Sequence, residues 1–172
     1  MLLYTFVSSI SKGGFMAIKA HDPLLVAEYL LKKAESNQNP LTPMQVLKLV
    51  YMAHGWMLGI HGRSLINEPV LAWQYGPVVV SVYEQIKKFK NNHVELPIAS
   101  NLSDAEFDAV EMRLMDQVVD IYGKYSGPAL SRMTHSEGTP WSIIWNKCGW
   151  NGVINTNLIQ GHYSKRHIFR EG

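Results

Sequence analysis

The chain has 172 residues, 47% of them hydrophobic and 17% charged, enough apolar material for one compact domain and too little charge for a disordered chain. A net charge of +2 argues against a strongly nucleic-acid-binding surface, and a single cysteine, Cys148, excludes an internal disulfide and any zinc site built on several thiolates. The lone cysteine fits a reducing compartment, and a cytoplasmic protein is expected. No segment offers the roughly 20 consecutive apolar residues of a spanning helix.

The first 15 residues, "MLLYTFVSSISKGGF", are apolar but lack a basic leader, so they make a poor signal peptide. Either Met16 is the natural start or residues 1–15 form a loosely held arm; residues 16–172 read as one domain. Five times a proline stands where a helix should begin: Pro23, Pro43, Pro77, Pro128 and Pro140. Proline suits the first helical position because its missing N–H would have no partner there. Asp22, Thr42 and Thr139 are well suited to cap those helices.

The first helix is expected over Pro23–Ser36, ended by "NQNP". The second, Pro43 to about His61, is apolar almost all round, which marks a central helix; Gln45 and Lys48 are nearly its only polar residues before His54. "VLAW", Val70–Trp73, reads as a short strand, followed by a helix over Pro77–Lys90. "HVELPI" suggests a second strand. Ser103 and Glu106 have capping-box spacing, which predicts a helix from there to about Tyr125. Shorter helices follow from Pro128 to Met133, Pro140 to Lys147 and Asn155 to Tyr163. The expected fold class is mainly α (α+β): one helical bundle with a small sheet of two or three strands.

The chemistry-bearing residues form no familiar set. There are seven histidines, but no H-x-x-x-H or H-E-x-x-H pattern; His54 and His61 are two helical turns apart, too far to share an ion, so no metal or cofactor is expected. No G-x-S-x-G or phosphate loop occurs. Cys148 reads as a small packed side chain. The Lys87, Lys88 and Lys90 cluster and Lys165, Arg166, His167 and Arg170 read as solvated helix ends rather than a nucleic-acid patch. What stands out is aromatic and proline residues in loops: Trp73, Tyr75 and Pro77, then His135, Pro140, Trp141 and Trp145, then Trp150. Aromatic side chains of this kind either staple loops to a core or form binding hot spots.

Two stretches carry a resemblance. "LTPMQVLKLVYMAHGWMLGIHGRSLINEPVLAWQYGPVVVSVYEQIK" resembles the signature of the Panacea domain, the SocA-like antitoxin family, often described as phage-associated proteins. "LSRMTHSEGTPW" and "LIQGHYS" resemble its downstream motifs, with Thr139 a local departure. The resemblance spans about Asp22 to Tyr163. It implies a non-enzymatic antitoxin of a toxin–antitoxin system that binds a cognate toxin, with a possible further role as a proteolytic adaptor to ClpX and its protease ClpXP. Trp73, Tyr75, Gly76, Pro77, Tyr83, Thr134, His135, Glu137, Pro140 and Trp141 are then expected to form or support one partner-binding surface, with Thr134 and His135 reaching the Tyr75–Pro77 turn. The alternatives are a small hydrolase using His135 and Glu137, and a nucleic-acid-binding regulator.

Overall fold

A computed structural model describes residues 19–98 and 107–166. The expectations for residues 1–15, for the Ser103–Glu106 cap and for His167 and Arg170 lie outside the described residues. The architecture is mainly helical with a small antiparallel sheet.

Helix α1 spans Pro23–Ser36 and α2 spans Pro43–His61, each starting on its proline. Asp22 Oδ1 accepts from the Leu24 N–H at 2.9 Å, and Gln45 Oε1 reaches back to the Thr42 N–H at 2.9 Å. These local bonds satisfy donors that the first helical turn leaves free. Helix α2 is buried from Val46 through Leu58. It is the central helix because it has no polar face to turn to water.

Strand β1, Val70–Trp73, lies where expected, but Pro77 does not start a helix. It sits in β2, Gly76–Val78, which turns back on β1 with Ala72 opposite Pro77 and Trp73 opposite Gly76. With a third strand, β3 (Gly152–Ile154), the order is β2-β1-β3, so β2 is an edge, where a residue without an N–H breaks no ladder. Helix α3 starts three residues later, Val80–Ile86, and gives way to a 3₁₀ turn at Lys87–Phe89. The strand expected at "HVELPI" is absent; Val94 is instead buried, and its N–H donates to the Leu41 carbonyl at 2.8 Å. The third strand is β3, Gly152–Ile154, paired antiparallel with β1.

Helix α4 is Ala109–Tyr122, shorter than expected at both ends. Its cap is Asp108, not Ser103. Asp108 Oδ1 accepts from the N–H groups of Val110 and Glu111, and Glu111 Oε2 accepts from the Asp108 N–H. The same pattern of capping residue and glutamate recurs five residues downstream of the expected one, in "DAVE". Helices α5, Gly127–His135, α6, Pro140–Cys148, and α7, Thr156–Ser164, complete the domain. Helix α7 packs closely on α2, because Gly55 and Gly59 leave room for Tyr163: a Cβ at Gly55 would lie 2.2 Å from its ring. Cys148 is exposed, not packed, since it ends α6 at a turn rather than on its buried side.

Candidate partner-binding site

Gln74 and Tyr75 form the tip of the β1–β2 hairpin, and Gly76 closes it with φ +110°. That conformation favours glycine, and a Cβ there would also lie 2.8 Å from both Lys48 Cε and Thr134 Oγ1. A tight turn leaves carbonyls without ladder partners, and such groups need donors from elsewhere. Here they find them on three helices. Trp141 Nε1 donates to the Trp73 carbonyl at 2.8 Å. His135 Nε2 lies 3.0 Å from the Gln74 carbonyl. Ser131 Oγ donates to the Tyr75 carbonyl at 2.9 Å. Lys48 Nζ donates to the Pro77 carbonyl at 3.1 Å.

The hairpin and the α5–α6 segment are therefore clamped together by side chain to backbone bonds. His135 reaches the turn, as its sequence context suggests. Thr134 does not bond to it: its Oγ1 donates to the Ser131 carbonyl at 2.7 Å and fills the space beside Gly76. Thr139 Oγ1 in turn donates to the Thr134 carbonyl at 2.8 Å, holding the end of α5 to the start of α6 at Pro140. The His135 ring packs 3.8 Å from that of Trp141, which stacks on Trp145. Glu137 is exposed on the loop between the two helices. Both His135 nitrogens face carbonyl oxygens, Nδ1 lying 2.6 Å from that of Ser131, so this ring serves as a brace.

The outer side of the hairpin is aromatic. Trp73 meets Tyr83 edge-on at 4.9 Å, stacks on Trp150 at 6.2 Å and donates from Nε1 to Asn151 Oδ1 at 3.1 Å. Tyr75 and Trp150 are 64% and 65% exposed, which is unusual for side chains of this size. Beside them opens a cleft of about 440 Å³, walled by Met44, Leu47, Lys48, Trp73, Tyr83 and Trp150 among others. Lys48 is 2% exposed, and burial pushes its amine down from 10.5 to about 7. Its partner, the Pro77 carbonyl, is beyond the reach of sequence reasoning; the signal was only that a lysine interrupts an apolar helix. Ser131 lies in the "LSRMTHSEGTPW" stretch that resembles the family motif, but it was not singled out as a site residue.

At the far end of α2 lies a second polar cluster. Arg63 Nη2 pairs with Asp108 Oδ2 at 2.7 Å and Nη1 with Glu111 Oε1 at 3.4 Å, while His21 Nε2 lies 3.0 Å from Glu111 Oε2. Nearby, buried His54 accepts from the Leu65 N–H at Nδ1, and desolvation pushes it down to about 4. Among the described residues no three histidine, cysteine or carboxylate side chains converge as metal ligands would, and no helix is long and apolar enough to cross a membrane.

The model of the family "Antitoxin SocA-like, Panacea domain" matches residues 46–142, from the first turn of α2 to the start of α6. That interval contains the hairpin and every side chain that clamps it. The chain belongs to this family. It is similar to Antitoxin SocA of Caulobacter vibrioides (strain NA1000 / CB15N), with 31% identity over 158 residues, covering 87% of this chain and 84% of the relative. No solved structure matches. The Panacea-domain match places the aromatic hairpin corner inside the shared part of the family, and leaves Trp150 and Asn151 outside the matched interval.

Proposed function

We propose that this Panacea-domain chain is an antitoxin that neutralises a cognate toxin by binding it directly, with the hairpin corner as its contact surface. The observation that supports this is the exposure of Tyr75 and Trp150 on a corner whose carbonyls are bonded by four side chains. Large exposed aromatics on a rigid support are what protein-binding hot spots use, because little entropy is lost on docking. In this reading Trp73, Tyr75 and Tyr83 touch the toxin. Gly76, Pro77, Thr134, His135, Pro140 and Trp141 hold that surface in shape, and Glu137 lies on its rim. The protein acts by binding rather than by catalysis, since His135 is committed to carbonyls and Glu137 has no hydrogen-bond contact with it that would make a catalytic pair. It works in the cytoplasm, where the bound toxin is handed to ClpXP for degradation.

Co-expression with the product of the adjacent gene tests the reading. The neighbour is expected to arrest growth alone, to be harmless with this chain, and to co-purify with it. A harmless neighbour, or two proteins that do not co-purify, overturns the binding step. The lifetime of the toxin tests the delivery step: depletion of ClpX should lengthen it severalfold, and an unchanged lifetime removes delivery while leaving neutralisation by binding.

A further inference from the structure

Lys48 lies in the second turn of an otherwise apolar helix, 2% exposed, and is one of the residues that line the aromatic cleft, its Nζ lying beside the Gly76–Pro77 edge of the hairpin, where Gly76 also lines the cleft. An ammonium carries three N–H donors, and one of them meets the Pro77 carbonyl. Among the described residues no carboxylate stands within ion-pair distance of it. Among the described residues the other charged groups on the cleft wall are Lys87, itself paired with Glu84, and Lys90, and none that lines the cleft is acidic. Burying a cation without a counter-charge is unfavourable, and an apolar side chain of similar length would pack here at less cost. The bond to the Pro77 carbonyl satisfies the turn but leaves the charge itself uncompensated, so it does not by itself account for a lysine at this position, whereas a ligand that brings the missing charge does. The cleft volume of about 440 Å³ is that of a site for one or two side chains.

We propose that the cleft seats a carboxylate of the partner, an aspartate, a glutamate or a chain terminus, on Lys48 Nζ, with an adjoining apolar side chain against Trp73, Tyr83 and Trp150. The occupant is an acidic, apolar segment of the toxin, an identity that rests on the antitoxin reading above. A compact ammonium suits this role, because it offers a point charge to a single carboxylate oxygen and leaves the aromatic walls free. Lys87 and Lys90 attract the same charge from the rim.

The full chain is titrated with N-acetyl-tryptophan and, separately, with N-acetyl-tryptophanamide, which has the same ring and size but no charge. The indole N–H resonances of Trp73 and Trp150 report binding. The acid is expected to bind about tenfold more tightly than the amide, the worth of one charge-assisted hydrogen bond. In Lys48→Met that preference should vanish; a thermal melt confirms the fold, which the substitution is expected to stabilise. Equal binding of acid and amide, no binding of either at millimolar concentration, or a preference that survives Lys48→Met and disappears in Lys87→Gln/Lys90→Gln overturns the site. In the co-expression assay, Lys48→Met should need about tenfold more antitoxin to restore growth. If it works at the wild-type dose, the toxin carboxylate does not sit here, while the antitoxin reading stands. If the wild-type chain neutralises no neighbour, the antitoxin reading falls, and the titration still decides whether the cleft takes a carboxylate.

Discussion

The two ends of α2 treat buried charge in opposite ways. At the C-terminal end Arg63 is met by Asp108 and Glu111, and Glu111 also meets His21 and the Asp108 N–H. Every strong charge there has an opposite partner, and the cluster ties the chain entering α1 and the loop after α2 to the start of α4. At the N-terminal end Lys48 has a peptide carbonyl and an open cleft. A closed network is what a fold uses to join elements. A buried cation left beside a cleft is poised for a charge from outside.

The largest effect should come from the closed end. Glu111→Ala leaves Arg63 and His21 half-buried without their shared carboxylate and removes half of the α4 capping box. A loss of about 3–5 kcal/mol is expected in urea unfolding. A loss near 1 kcal/mol would reduce the cluster to ordinary surface pairing and end the contrast.

The open end should respond with the opposite sign. Lys48→Met is expected to gain about 1 kcal/mol at pH 6, because the burial penalty of the charge it removes outweighs the donor that the Pro77 carbonyl loses. The pH dependence follows from the depressed amine. Below about pH 7 the folded chain carries the buried charge and the penalty is full. Between about 7 and the ordinary value of 10.5 the unfolded chain binds a proton that the folded chain has released, so stability rises with pH; above that the penalty is gone. Unfolding measured from pH 6 to pH 10 should show this rise in the wild-type chain and a flatter profile in Lys48→Met. Identical slopes would mean that Lys48 is as well solvated or as well paired as Arg63.

The smallest structural effect belongs to the aromatic surface. Tyr75→Ala removes a side chain that is 64% exposed, so stability should stay within about 0.5 kcal/mol of wild type. Its effect should appear instead in co-purification with the proposed toxin partner. A full complex yield with this variant would take Tyr75 out of the contact surface.

Much of the helical framework is legible in the sequence. Helices α1 and α2 begin and end where their caps, prolines and apolar periods put them, and α5, α6 and α7 lie within two residues of their expected ends. Those signals are local: a cap acts across three residues. Pro77 shows where this stops working. A proline serves a helix start and an edge strand equally well, and only the pairing of Ala72 with Pro77 chose between them. The start of α4 was placed too early for a similar reason, since Ser103–Glu106 and Asp108–Glu111 both carry the required spacing and only the second is seen to open this helix. Of the corner residues, the aromatics and His135 were visible as residue types. Ser131 stood inside the "LSRMTHSEGTPW" stretch, but its role was not legible, because nothing in a residue type distinguishes a serine that braces a distant carbonyl from one that faces water.

Composition and local pattern determined a mainly helical domain, a central α2, a strand at Val70–Trp73 and a concentration of aromatics after it. Separately, the motif stretches beginning "LTPMQVLKLV" and "LSRMTH" carried a resemblance to an antitoxin family. Tertiary structure alone decided that the Trp73–Pro77 carbonyls are held by α2, α5 and α6, that Lys48 opens onto a cleft, and that Arg63 is paired while Lys48 is not. The physical reason is range. Capping and periodicity are set by neighbours along the chain, whereas a buried charge or a turn carbonyl is satisfied by whichever residue the packing brings within 3 Å or so, often dozens of positions away.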